Sequence, residues 1–192
     1  MIEYTTFNSP IGKIYIAAVK EGVVKISLST ESPEGLEKYC QKYLGVGVRE
    51  GSEYTQDAKE QILKYLEGKS QYLDFPVIHL NSSFRKKVLE TERNIPYGET
   101  RSYGEVAEIV NNPRAVRAVG SANAENPLPL YFPCHRIISS NGSLGGYGGG
   151  LGVKQYLLDL ESKSLQEDLN LRPSGYEPGK IRHLRQSVTI FP

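Results

Sequence analysis

An α/β (α+β) chain in two unlike parts, a small strand-and-helix domain followed by a mostly helical one, is the fold class that the sequence predicts. Three observations carry it. The first thirty residues hold three short runs rich in β-branched and aromatic residues, "IEYTTF", "KIYIAAV" and "VVKISLS". Two stretches with helical spacing follow, "SPEGLEKYCQKYLG" and "TQDAKEQILKYLEG". From Ser82 onward the texture changes to short helical segments separated by tight turns.

The three runs form an antiparallel meander, because Ser9-Pro10 and Glu21-Gly22 supply turns between them. In the first helical stretch Ser32 is placed to cap the N-terminus, Pro33 suits the first helical position and Gly45 lies just past the end. Leu36, Tyr39, Cys40 and Tyr43 share one face, which makes Cys40 a core residue. The second helix ends at Gly68. Residues 1–75 are therefore expected to form the N-terminal domain, with 76–81 as a linker out of it.

The second domain is expected over residues 82–161. "SSFRKKVLETERNI" is followed by "PYGET", "SYGEVAEIV" and "NNPRAVRAVGSAN". In the last of these Asn112 is expected to cap a helix that starts at Pro113. Two short helices joined by a few residues match a helix-turn-helix, a pattern many helical domains share. The second helix is slim. Ala115, Ala118, Gly120, Ser121 and Ala122 leave Val116 and Val119 as its largest apolar side chains, and Arg114 and Arg117 are its charges. Such a helix can approach a DNA groove closely, with arginines suited to phosphates or base edges. "NGSLGGYGGGLG" puts seven glycines among residues 142–152, a loop able to bend sharply beside a ligand, without the spacing of a phosphate-binding P-loop. "VKQYLLDLE" then reads as a helix with Val153, Leu157 and Leu160 on one face and Glu161 turned back towards the core. Residues 162–192 have poor apolar periodicity and read as a disordered extension with no assigned role.

Composition excludes several classes. A formal net charge of +1 over 192 residues does not announce a generally basic nucleic-acid binder. No apolar run reaches the roughly 18 residues of a membrane span, and Met1 leads into "IEYTTFNSP" without a secretory pattern. Two cysteines far apart are no disulfide framework, and with three dispersed histidines they offer no zinc spacing. A cytoplasmic, reducing setting is expected.

The chemistry concentrates in "FPCHRI", residues 132–137. Cys134 directly precedes His135. Two readings stand: a buried thiol packing as a small hydrophobe, or a thiolate nucleophile kept reactive by basic neighbours.

Together "IPYGETRSYGEVA", "RAVRAVGSANAENPLP", "FPCHRII", "NGSLGGYGGGL" and "KQYLLDLE" closely resemble the methylated-DNA–protein-cysteine methyltransferases, also called O6-alkylguanine-DNA alkyltransferases. The resemblance is nearly continuous from Ile95 to Glu161, while residues 1–75 match in outline only. It implies a ribonuclease H-like first domain and a winged-helix-like DNA-binding second domain. It implies single-turnover transfer of an alkyl group from O6 of guanine in duplex DNA to Cys134. His135 matches the base, acting through a water, Glu161 its carboxylate partner, and Asn126 the brace of the turn before the cysteine. Tyr103 matches a donor to the flipped guanine, Tyr147 and Gly148 the loop over the pocket, and the carbonyls of Cys134 and Ile137 the acceptors for its exocyclic amine. Arg117 matches the finger that fills the space of the extruded base, with Arg114, Ala115, Ala118, Gly120 and Ser121 on the DNA side. A monomer with no cofactor, no metal and no membrane contact is implied.

Some residues depart from the family pattern. Gly148 stands where some relatives carry serine, Tyr156 where tryptophan is frequent, and the first domain lacks the cysteines that hold zinc in some members. Two other readings remain open on sequence. In a lesion binder without transfer activity, the nucleophile is replaced, which Cys134 opposes. In a cysteine hydrolase, the Cys and His are normally distant in sequence, unlike this pair.

Overall fold

The computed structural model describes residues 1–28, 32–78 and 82–171 of the chain. Strands β1 (Ile2–Ser9), β2 (Gly12–Val19) and β3 (Gly22–Ser27) form the antiparallel meander, with Ile16 opposite both Thr5 and Ile26. A fourth strand not foreseen, β4 (Val48–Glu50), pairs parallel to β1, giving the order β3-β2-β1-β4. Three residues are too few to show a period, so β4 exists only through its partner.

Helix α1 (Pro33–Leu44) forms as its residues dictate. Ser32 Oγ accepts from Gly35 N, Pro33 opens the helix, and Gly45 closes it at φ 68°, a left-handed turn that glycine adopts without strain. Tyr43 stays 44% exposed although Leu36 and Cys40 beside it are buried. Helix α2 (Gln56–Leu66) covers the other side of the sheet. The central strand is thus covered on both faces: Tyr15 and Ala17 pack with α1, and Ile14, Ile16 and Ala18 with α2. That is why "IYIAAV" reads as continuous rather than alternating hydrophobicity. The outer edge of β3 is closed as well. Val23 N donates to Pro76 O at 2.8 Å, Ile78 N to Val23 O at 2.9 Å and Ile26 N to Pro127 O at 2.8 Å. The start of the expected linker is therefore edge cover, which removes a row of open backbone groups.

The second half contains α3 (Ser83–Arg93), β5 (Arg101–Ser102), α4 (Tyr103–Ile109), α5 (Val116–Ala124), a 3-10 turn (Cys134–Arg136), β6 (Ile137–Ile138) and α6 (Leu151–Leu171). Strands β5 and β6 pair parallel over two residues. Helix α4 starts with a capping box, Ser102 Oγ accepting from Glu105 N while the Glu105 carboxylate accepts from Ser102 N. It ends in a Schellman motif: Asn111 takes φ 59°, Asn111 N donates to Glu108 O and Asn112 N to Ala107 O.

That stop corrects the expected start of α5. Asn112 is occupied in closing α4, and Asn112 O accepts from Ala115 N at 2.9 Å across a four-residue turn holding Pro113 and Arg114. The helix begins at Val116, three residues after Pro113, so Arg114 lies in the turn and not on the helix. Val119 and Ala122 bury one face of α5 against Val88, Val106 and Ile137. The largest core cluster runs through both halves, joining Ile14, Ile16 and Ile62 to Leu128, Phe132 and Leu157.

Helix α6 does not end at Glu161 but continues to Leu171. The sequence after Glu161 has no Gly or Pro before Pro173, and Leu165 extends the face of Leu157 and Glu161 onto the main core. Of the expected disordered extension, residues 172–192 lie outside the described residues. Leu165→Ala should therefore lower stability by about 1 to 2 kcal/mol in chemical denaturation, whereas a residue in an unstructured extension would give no change.

Candidate active site and DNA-facing helix

The chain reaches Cys134 through a contorted segment. Leu130 sits at φ 72°, an unfavourable region for a branched side chain, and it is held there by its burial in the core (3% exposed) and by the turn in which Phe132 N donates to Leu128 O at 2.9 Å. Pro133 at φ −79° and ψ 61° forms an inverse γ-turn in which Cys134 N donates to Phe132 O at 2.8 Å. Asn126 locks this turn. Its Nδ2 donates to Phe132 O at 2.9 Å and to Cys134 Sγ at 3.2 Å, while its Oδ1 accepts from Leu128 N at 2.9 Å. Cys134 ends 6% exposed, at the start of the 3-10 turn.

Behind it the Glu161 carboxylate gathers five donors. His135 Nε2 donates at 2.7 Å, Arg136 donates through Nε at 3.0 Å and Nη2 at 3.0 Å, Gly98 N donates at 2.8 Å, and the Tyr65 hydroxyl completes the set. Gly98 takes φ 76°, and a side chain there would collide with Leu165. Glu161 is held as an ion: burial alone would raise its pKa, but the hydrogen bond from His135 and the charge and bonds of Arg136 bring it down to about 2. Because His135 Nε2 carries the proton towards Glu161, Nδ1 is the accepting nitrogen; it is buried and makes no hydrogen bond to protein. Burial lowers the His135 pKa, keeping the ring neutral, while Glu161 pulls the other way.

Burial pushes the Cys134 thiol up to about 12, Glu92 adds to the rise, and Asn126 and Lys154 oppose it. The resting thiol is therefore protonated and needs an acceptor at the moment of reaction. Cys40, on the buried face of α1, is raised to about 11 by burial, with Lys25 opposing the rise and Glu37 adding to it. Lys154 is fully buried, and its ammonium donates to the carbonyls of Ile137, Leu144 and Gly146, fastening the glycine-rich loop to α6.

Of the residues singled out from sequence, Cys134, His135, Glu161 and Asn126 meet in this one site. Tyr147 stands edge-on to His135, with ring centroids 6.4 Å apart. Tyr103 is half-buried between the loop and α5: a Cβ on Gly145 would lie 3.0 Å from its hydroxyl, and one on Gly120 would lie 3.9 Å from its ring. Gly148 is exposed and Ile137 buried. The carbonyls of Cys134 and Ile137 each already accept one bond, from Ile137 N and from Lys154, which leaves one lone pair apiece. Arg117, Ala118 and Ser121 form the exposed face of α5, Arg114 is exposed in the preceding turn, and Ala115 and Gly120 are half-buried. Tyr65, Gly98, Arg136, Lys154 and Glu92 were not assigned roles from sequence. Lys154 and Glu161 carried a signal, since with Leu157 they repeat at helical spacing on one face that is otherwise apolar. Tyr65 carried none. Among the described residues no group of three His, Cys, Asp or Glu side chains could hold a metal ion, and no helix is long and apolar enough to cross a membrane.

A buried Cys-His-carboxylate set mounted beside a helix-turn-helix defines a protein that performs cysteine chemistry on nucleic acid. The family model for "6-O-methylguanine DNA methyltransferase, DNA binding domain" matches residues 83–163, and that for its "ribonuclease-like domain" matches residues 2–78. The chain belongs to the methylated-DNA–protein-cysteine methyltransferase family. It is 39% identical over 158 residues to such an enzyme from Methanosarcina acetivorans, covering 82% of this chain and 97% of the relative. It is 35% identical to the constitutive enzyme of Bacillus subtilis, covering 85% and 98%. Among solved structures, Mycobacterium tuberculosis OGT in complex with DNA superposes with a TM-score of 0.75 at 33% identity, covering 84% of this chain and 94% of that one.

Glu92 sets up a stability test. Burial raises its pKa from 4.5 to about 8, with Asn123 and Lys154 opposing. The unfolded chain releases this proton first, so folding stability should fall as pH rises from about 4.5 to 8. Glu92→Leu should raise the melting temperature, and by more at pH 8 than at pH 5; an equal shift at both would mean that Glu92 titrates normally.

Proposed function

We propose that Cys134 takes the alkyl group from O6-alkylguanine in duplex DNA, once and irreversibly. Family membership makes the chain a methylated-DNA–protein-cysteine methyltransferase, a DNA-repair protein that works by alkyl transfer onto a cysteine. The observation that supports this site is the neutral His135, oriented through Nε2 by an ionised Glu161, with its accepting Nδ1 unused beside a protonated Cys134.

In this reading a water carries the thiol proton to His135 Nδ1 as sulfur attacks the alkyl carbon. The carbon–O6 bond breaks and its electron pair leaves with guanine. The imidazolium that forms faces Glu161, whose negative charge is already balanced by Arg136, so the relay adds no net charge beyond the proton it moves. Tyr103 donates to the departing base, where negative charge develops. Tyr147 and Gly148 cover the pocket, held down by Lys154, and the remaining lone pairs of the Cys134 and Ile137 carbonyls accept from the exocyclic amine.

The target atom is stacked inside the duplex, so the nucleotide must rotate out. The exposed face of α5 serves this step: Arg117 occupies the vacated space, and Ala115, Ala118, Gly120 and Ser121 let the backbone approach the groove, with Arg114 at the phosphates. Every group of the relay comes from one chain, which supports a monomer, and two free buried thiols suit the reducing cytoplasm.

Intact-protein mass after incubation with duplex DNA bearing one O6-methylguanine should rise by one methylene per chain, mapped to the Cys134 peptide. Cys134→Ala should abolish this gain and keep DNA binding. Tight binding without a mass gain in the unaltered protein would make it a lesion binder instead. Arg117→Ala should slow repair of duplex DNA at least tenfold, roughly the unstacking energy it offsets, yet leave reaction with free O6-benzylguanine near normal; equal losses would remove the finger role.

A further inference from the structure

Of the described donors gathered on Glu161, Tyr65 alone comes from the first domain, and the alkyl-transfer mechanism gives it no part. It is fully buried on α2 beside Ile62 and Leu66, where a phenylalanine would fill the same space without desolvating a hydroxyl. The Tyr97 ring meets it edge-on, with centroids 5.9 Å apart, and fixes the plane of the phenol. The hydroxyl therefore has a set position. It donates to Glu161 Oε1, and its oxygen lies 3.4 Å from His135 Nε2.

That carboxylate oxygen is crowded. Oε1 accepts from the Tyr65 hydroxyl, from His135 Nε2 at 2.7 Å and from Arg136 Nη2 at 3.0 Å. Oε2 takes Arg136 Nε at 3.0 Å and Gly98 N at 2.8 Å. A carboxylate oxygen has about two lone-pair directions, so three donors on one oxygen compete. The proton given by Tyr65 weakens Oε1 as a partner for the Nε2 proton, and a weaker partner makes an imidazolium less favourable. Burial, then the Glu161 charge, raises the Tyr65 pKa well above its usual value, so the hydroxyl stays a donor throughout. Around His135 stand Glu161 and Lys154 on α6, Arg136 and Cys134 on its own turn and Tyr147 on the loop, while Tyr97 faces Tyr65.

We infer that Tyr65 is a positioning residue of the proton relay: by competing for Glu161 Oε1 it keeps His135 a weak base, neutral and open at Nδ1 until the thiol proton arrives. This rests on the alkyl-transfer reading above. In that reaction the thiol proton crosses a water to Nδ1, sulfur bonds to the alkyl carbon, and the carbon–O6 electron pair leaves with guanine. Tyr65 exchanges no atom and keeps its own proton. Without its hydroxyl the stronger pull of Glu161 would protonate the ring over part of the neutral pH range, leaving no lone pair to receive the thiol proton. The first domain thereby tunes the chemistry of the second.

The test is Tyr65→Phe in the full chain, read by two pH series. One follows the His135 ring nitrogens by NMR without DNA, and the other follows single-turnover transfer from duplex DNA bearing O6-methylguanine. Both midpoints should move up by about one pH unit, the equivalent of one hydrogen bond, so that transfer well below the midpoint slows about tenfold and the plateau at high pH holds. A hydroxyl with a purely structural role would lower the melting temperature and leave both midpoints in place. That result overturns the inference and leaves the function standing. No methyl transfer by the unaltered chain overturns both. If Tyr65→Phe fails to fold, a ring-fluorinated tyrosine at this position, whose more acidic hydroxyl donates more strongly, should move both midpoints down; unmoved midpoints overturn the inference.

Discussion

The structure depends on keeping one carboxylate ionised in a dry interior. Glu161 brings together α6, the Cys134 turn, the Gly98 turn and, through Tyr65, a helix of the first domain. Leaving such a charge short of partners would destabilise the fold by several kcal/mol. The four segments are therefore held to one arrangement, and that arrangement sets the His135 tautomer. Orienting the His135 ring and packing the two halves together are the same act.

This dependence explains where unfavourable geometry is tolerated. Leu130 in a left-handed conformation and the tight turn at Pro133 are awkward locally, but each is overdetermined by burial or by Asn126. The same logic applies to Lys154. A buried ammonium bonded to three carbonyls is costly unless those carbonyls stay put, so the loop it fastens must keep its shape.

Local signals in the sequence were legible. Ser32, Pro33 and Gly45 delimit α1 as their chemistry requires, and the first two strand runs of the meander hold over their full length, while the third ends as a strand at Ser27. The Cys-His pair, its brace and its carboxylate were reachable through their motif. What the sequence hid was competition and distance. Asn112 is as good a helix cap as any asparagine, but the preceding helix claims it first. Strand β4 is defined by its neighbour alone. Tyr65 looks like any aromatic on an amphipathic helix, and nothing local connects it to a glutamate 96 residues later. Glu92 sits at apolar spacing after Val88 and Leu89, where a carboxylate is easily assigned to a solvated face.

The place of the second thiol has a consequence of its own. Cys40 lies on the buried face of α1 in a core cluster separate from the one that Phe132 and Leu157 join. Among the described residues Cys134 thus has no neighbouring thiol, and at 6% exposure it offers little to reagents from outside. A thioether formed there is also a poor leaving group. In the proposed reaction nothing among the described residues would return the sulfur to its starting state, so the protein would behave as a titrant rather than a catalyst. The quantity that would limit repair is then the number of chains present, not any rate constant.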